Sequence, residues 1–247
     1  MVMLLYKSWR ESRVRFLLSV MALAVICASF VFFRVDTSSG IGDEPLSYPV
    51  YIWRSTYKGY LRELFMILTI LLGLGGLARE RDHGTVGFTL ALPVSRWRLL
   101  ATRVLVGFAE VILLATVPAI VLPTLSPLVG QAYPPSQAWS FAILWATVGS
   151  LIFAMSVLSS VVLGGEFTAP IAALLGLVSY SFLADRPLVA RHLTDIHDVM
   201  SGTHTAYFAE RTGVLTGPLP WSTLFTVLLA AAALIAIGAR ITSRQDF

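Results

Sequence analysis

Few side chains in this sequence are suited to chemistry, and their spacing narrows what they do. The histidines are His83, His192, His197 and His204, the only cysteine is Cys27, and the only lysines are Lys7 and Lys58. No HExxH stretch places two imidazoles and a glutamate on one helix face for zinc, and no GxSxG turn presents a serine nucleophile. A phosphate-cradling loop needs GxxxxGK[ST]; neither lysine follows such glycines, so any ATP hydrolysis is expected in a separate polypeptide. A lone cysteine makes neither a disulfide framework nor a thiolate metal site. In the stretch 185–220, His192, Asp195, His197, Asp198 and His204 are metal-ligating types, and on a helix Asp195 shares a face with His192 and with Asp198. Their spacing matches no metal signature, and a solvated acidic helix without metal is the expected reading.

Two features carry more specific chemistry. Glu110 interrupts the apolar stretch 99–122 about eleven residues in, near mid-bilayer if that stretch spans. A carboxylate there costs at least ~2.5 kcal/mol unless paired, protonated or hydrated, so Glu110 is expected to face inward. Two roles stand open for it: a polar contact on a translocation path or subunit seam, or a hydrogen bond to Ser or Thr of another span. Arg103, seven residues earlier, shares its side but lies roughly 10 Å away along the axis, too far for direct pairing.

The second feature is the run from Arg79 to Arg98. Arg79, Glu80, Arg81, Asp82 and His83 close one apolar stretch, and Gly84 permits a backbone turn that a side chain would hinder. A short helix over 85–92 can follow, weakened by Gly87 and stopped at Pro93. Ser95 is placed to cap the next helix. Arg96 and Arg98 then occupy its first turn, where the helix dipole disfavours cations, which calls for compensation from lipid phosphates or an acidic partner. An exposed helix of this kind is either a docking surface or simply a basic loop that sets topology.

The elements that must position these residues follow from composition. Of 247 residues, 56% are hydrophobic and only 13% charged, and the mean hydropathy is +0.77; a bilayer, not water, is the implied solvent. Six stretches are apolar for about the length that crosses ~30 Å of hydrocarbon: 16–33, 62–78, 99–122, 141–163, 168–184 and 221–239. The second reaches its length by extending through Arg62 and Glu63, whose charged heads can snorkel. None alternates like a barrel strand, so the expected fold is an all-α integral membrane protein of six transmembrane helices. Small residues recur every four positions at Ala142, Ala146, Ser150 and Ala154, and again at Ala172 and Gly176, a pattern that lets helices approach closely. Pro118 is expected to kink the third span.

Lys and Arg near the span ends set orientation. With a cytoplasmic N-terminus, eleven basic residues fall on inner segments and seven on outer ones, most of the latter in long loops. Both termini are therefore expected inside, and the formal charge of +4 reads as topology and contact with anionic membrane lipids, not as nucleic-acid binding. No cleavage site follows the first apolar run, so that run is expected to remain. Val2, Leu5, Tyr6 and Trp9 share one helical face opposite Lys7, Arg10 and Glu11, so residues 1–15 are expected to form a separate helix in the interface. The outer side carries 34–61, a Pro-rich turn at 123–140 and the loop 185–220, with Trp139 and Trp221 marking entry points; 164–167 makes a tight inner hairpin.

The run from Glu80 to Arg103 resembles the inner loop of permease subunits in the type-2 ATP-binding cassette transporter superfamily. The residues that match are Glu80, Gly84, Thr85, Leu90, Leu92, Pro93, Ser95, Arg96 and Arg103, with Gly87 and the arginine at 103 as departures. The N-terminal KSWRES is similar to that family's interfacial connecting helix, and the terminal SRQDF to its basic-then-acidic ending. The resemblance implies that 79–98 is a cytoplasmic coupling helix, with Glu80, Arg81, Gly84, Thr85, Leu90, Pro93, Ser95 and Arg96 against a nucleotide-binding ATPase subunit. It also implies that ATP and Mg are bound by that partner and that no cofactor is bound here. A second permease subunit, identical or paralogous, completes the path, and the location is the plasma (inner) membrane. The expected function is therefore the permease subunit of an exporter. The competing classes are a scaffold or sensor subunit without its own path and an intramembrane enzyme, the latter disfavoured because all the histidines fall outside the apolar stretches.

Overall fold

The computed structural model describes residues 2–33, 46–74, 96–163, 168–184, 186, 195–205 and 207–244. Its elements are α1 (Val2–Phe32), α2 (Tyr48–Ile52) running into a π-helical turn (Trp53–Tyr57), α3 (Tyr60–Gly73), α4 (Arg96–Leu125), a 3₁₀ turn (Ser126–Val129), α5 (Pro135–Leu163), α6 (Thr168–Ala184), α7 (Ile196–Ser201), β1 (Phe208–Ala209), β2 (Val214–Leu215) and α8 (Trp221–Arg244). The strands pair antiparallel, Phe208 opposite Leu215; everything else regular among the described residues is helical.

Among the described residues, four helices, α1, α4, α5 and α8, are long and apolar enough to cross a membrane. Their outward faces carry Leu17, Met21, Leu105, Ile112, Phe225 and Leu229, all exposed. Water would penalise so much apolar surface and hydrocarbon does not, so the chain is an all-α membrane protein. α3 and α6 are shorter, 14 and 17 residues, or about 20 and 25 Å at the helical rise. α3 begins earlier than the expected 62 and stops at Gly73, with Leu74 extended at ψ 147°; the glycines that follow in the sequence, Gly75 and Gly76, disfavour helix.

Long helices consecutive in the chain alternate in direction, so α3, α5 and α8 finish at the same end of the bundle. Ser156 near the end of α5 donates to Ile70 near the end of α3 at 2.8 Å, Gly176 faces Met155, and Gly238 faces Leu158. Tyr51 after the first helix donates back to Phe30 O at 3.0 Å. The bundle thus has one end carrying α2, the 126–134 turn, α7 and the hairpin, here the roof end. The opposite end receives the start of α1, the end of α3 and the start of α4, with Arg10, Arg13, Arg15, Arg98 and Arg103, here the arginine end. α5 is the central helix: 78% of its most apolar window is buried, against 28% for α1 and 22% for α8. It is apolar nearly all round because protein covers most of its middle.

α1 passes without a break through the expected boundary at residue 15. No Gly or Pro lies between Val2 and Phe32, so nothing local ends the helix. α4 likewise continues through Pro118 and Pro123. Hydroxyls inside the helices find acceptors one turn back, as Thr69 does on Phe65 O at 2.8 Å and Ser150 on Ala146 O at 2.7 Å, which satisfies them without water.

The roof is held by aromatic packing and two indole hydrogen bonds. Tyr57 stacks on Phe141 with centroids 3.9 Å apart, and Trp145 meets Tyr57 edge-on and Phe65 at a tilt. Trp53 Nε1 donates to Ser201 O at 2.8 Å and Trp145 Nε1 to Met200 O at 3.2 Å, so two elements hold the last carbonyls of α7. Burial pushes the Tyr57 and Tyr133 phenols above their ordinary value, which keeps both neutral. The hairpin is tied down at Gly213, whose φ of +65° and contact with the Pro49–Val50 backbone suit only glycine. Gln137 reads Leu215 in both directions, Nε2 to its carbonyl at 2.7 Å and Oε1 from its N–H at 2.9 Å. Gln137→Leu is expected to free the hairpin and raise limited proteolysis within 209–213 by about tenfold, on the order of one lost pair of hydrogen bonds.

Candidate functional site

Among the described residues, the predicted polar positions gather at the arginine end. Glu80, Arg81, Gly84, Thr85, Leu90, Pro93 and Ser95 lie outside the described residues, as does the proposed 85–92 helix. Arg96 is the first residue of α4, immediately after the expected cap at Ser95. Arg98 is exposed in the first turn.

Glu110 is buried, with 1% of its surface exposed. One carboxylate oxygen accepts a short hydrogen bond from Ser12 Oγ of α1; the other has no hydrogen-bond partner among the described residues. Ser12 also stands 3.1 Å from Ser8 O, but its single proton is better used on Glu110, the shorter contact. The Ser12 hydroxyl is a partner of the kind that one of the two expected roles for Glu110 names. Glu110 is not isolated in hydrocarbon either, because Arg15 and Arg103 act on it electrostatically.

Those two guanidinium groups converge on one backbone atom. Arg15 Nη1 of α1 and Arg103 Nη2 of α4 each donate to Leu74 O at 2.6 Å. Leu74 is the C-cap of α3, where carbonyls lack intrahelical partners and the helix dipole is negative. Two cations at that point are therefore stabilised by geometry that a helix start, such as Arg96 and Arg98, does not provide. Ser12, Arg15, Leu72, Arg103, Gly107 and Glu110 line a cavity of about 10 Å³, close to the space one water needs. Gly107 makes the fit possible: a Cβ there would come within 2.2 Å of the Phe153 ring. On the far side of Glu110, Leu5, Tyr6, Trp9, Val106 and Leu113 form an open apolar groove between α1 and α4.

Sequence reasoning found Glu110 and Arg103 but missed Ser12, Arg15 and the Leu74 carbonyl. A signal existed for the first. Phe16, Ser19, Leu23, Cys27 and Val31 are the buried stripe of α1, and carrying that three-and-four spacing backwards reaches Ser12. Nothing in the sequence marks Leu74, whose role lies in its main chain.

The other expected cluster is corrected. The stretch around Asp195 is not a solvated acidic helix: α7 has six residues, and Ile196, Val199, Met200 and Ser201 are buried. Asp195 caps it, accepting from His197 N at 2.8 Å. His197 lies between Asp195, Ser181 and Glu63, its Nδ1 3.3 Å from Asp195 Oδ1 and 3.2 Å from Ser181 Oγ, while Arg62 pairs with Glu63 at 2.7 Å. These contacts join α3, α6 and α7 at the roof. His192 lies outside the described residues, and no group of three possible ligands converges among the described ones.

Among the described residues, the arginine-end cluster brings together one hydroxyl, one carboxyl group and two guanidinium groups. What it can do is fix helix ends against one another and hold charge in a low-dielectric setting. No protein-family model and no curated protein matches this chain.

Proposed function

We propose that the chain is the membrane-spanning permease subunit of a type-2 ATP-binding cassette exporter, with six spans, both termini cytoplasmic and residues 79–98 as its coupling segment. The observation that carries this reading is the conjunction of the charged, glycine-hinged run with its place in the bundle. α3 ends at Leu74 and α4 starts at Arg96, at the same end of the molecule as the start of α1. The run therefore leaves and re-enters at the end richest in arginine, which the positive-inside tendency assigns to the cytoplasm. α3 and α6, though short, alternate in direction with the helices next to them in the chain, which supports reading them as the remaining two of six spans.

In this reading a separate ATPase subunit binds ATP and Mg, a second permease subunit faces this one in the plasma (inner) membrane, and closure of the ATPase pair pushes on the coupling segment. The push shifts the population of bundle packings in proportion to the differential affinity of ATP for the two states. Purification of the full chain in mild detergent is expected to bring an ATPase with it. Gly84→Pro and Glu80→Arg are expected to reduce substrate-stimulated ATPase activity and vesicle flux about tenfold, the effect of losing one population-shifting contact. Undiminished coupling in both variants sinks the proposal. An ATPase that co-purifies without any ATP-dependent flux identifies a scaffold or sensor subunit instead.

A further inference from the structure

The convergence of two arginines on Leu74 O has a physical reason beyond charge balance. A helix end in a membrane protein must satisfy its last carbonyls locally, by a neighbour or by water. α3 closes with an extended Leu74 whose N–H reaches only Leu71 O at 3.4 Å. Its carbonyl is instead capped by α1 and by α4 simultaneously. Two like charges on one acceptor repel, and the buried Glu110, held by Ser12, is the acidic side chain whose electrostatic interaction with both arginines opposes that repulsion. Remove both guanidinium groups and α3 loses its polar attachment to both neighbours at that carbonyl.

We propose that Arg15 and Arg103 are positioning residues that grip the Leu74 carbonyl and, braced by the Glu110–Ser12 hydrogen bond, join the ends of α1, α3 and α4 into one mechanical unit. A force arriving at the chain beyond Leu74 then moves three helices together, where an ungripped end would move the tip of α3 alone. The joining of the helices stands on the contacts themselves; its use in transport rests on the permease reading above.

The test reads helix-to-helix distance. Spin labels go on Leu71 of α3 with Leu18 of α1, and on Leu71 with Leu105 of α4, all exposed positions, in the full chain carrying Cys27→Ala. The unaltered cluster is expected to show one narrow distance for each pair. Arg15→Gln with Arg103→Gln is expected to broaden both distributions about twofold or more as a second packing becomes populated, and the Lys/Lys variant, which keeps a donor on each helix, to restore most of the narrow population. Arg240→Gln, an exposed arginine at the same end, is expected to change neither. Unchanged distances in the folded double glutamine variant overturn the proposal. If that variant does not fold, the single variants decide: Arg15→Gln must broaden the 71–18 distance more than the 71–105 distance, Arg103→Gln the reverse, and equal effects overturn the grip. Where an ATPase co-purifies, the double variant is expected to lower the ratio of stimulated to basal hydrolysis about tenfold. Broadened distances with an unaltered ratio leave the joined helices standing and remove their role in coupling, so failure of the transport reading and failure of the grip are separately visible.

Discussion

Trp145→Ala is expected to lower the thermal unfolding midpoint of the detergent-purified chain by roughly 6–12 °C, the shift that about 3 kcal/mol produces in a chain of this size. The side chain is fully buried at the point where α5 meets the roof. It touches the Tyr57 and Phe65 rings at 5.6 and 4.8 Å between centroids and donates to Met200 O at 3.2 Å. Truncation removes close-packed contacts that lipid cannot replace, and leaves an end carbonyl of α7 without its donor. Trp145→Phe keeps most of the packing and loses the hydrogen bond, so it should cost about 1–2 kcal/mol. The chain supplies its own reporter: Cys27 is the only cysteine and is buried, so a fluorogenic maleimide reacts as the bundle opens. An alanine variant whose midpoint moved no more than the phenylalanine variant's would remove the packing from this account and leave only the hydrogen bond.

Gly73→Ala is expected to be nearly as damaging despite adding a single methyl group. A Cβ at Gly73 would lie 2.5 Å from Ser156 Cβ, 2.6 Å from Ser156 Oγ and 3.2 Å from Phe153 O. Two of those atoms belong to the α5 backbone or are bonded to it, so relief requires the helices to separate. Such overpacking costs about 1–3 kcal/mol, whereas the gain in helix propensity is at most about 1 kcal/mol and smaller at a last helical residue. The overlap therefore wins. Ser156→Gly should recover part of the loss when combined with Gly73→Ala, although alone it destabilises by removing the hydrogen bond to Ile70 O; the double variant lying above the sum of the singles is the signature to seek. Gly176→Ala is the contrast, because its Cβ would meet only Met155 Cε at 3.4 Å, an ordinary contact, and the midpoint should hardly move. Equal shifts at Gly73 and Gly176 would mean that the close α3–α5 approach is not what the glycine serves.

The two residues illustrate where sequence reading stops. Ala142, Ser150 and Ala154 on α5 are buried, as a small-residue stripe implies, yet the close approaches between long helices use Gly73, Gly107 and Gly149 against Ser156, Phe153, Val111 and Phe65. A stripe records that a face is small; it does not record what stands opposite. The same holds at the polar site. Glu110 announced itself as a carboxylate in an apolar run, and its inward burial follows from the cost of exposing it to hydrocarbon. That Ser12 meets it depends on the angle at which α1 crosses α4, for which a hydropathy pattern has no variable.

Sequence alone determined that this chain lives in a bilayer, that it is helical, and where most helices lie, because hydrophobic length and backbone hydrogen bonding are local properties that lipid reads one segment at a time. Only the tertiary structure decided that α1 runs on unbroken past residue 15, that four of the six residues of α7 are buried, and that Arg15 and Arg103 share a main-chain oxygen. Those outcomes hang on contacts between residues far apart in the chain, where apolar surface is everywhere available and shape and a few polar atoms choose the partner.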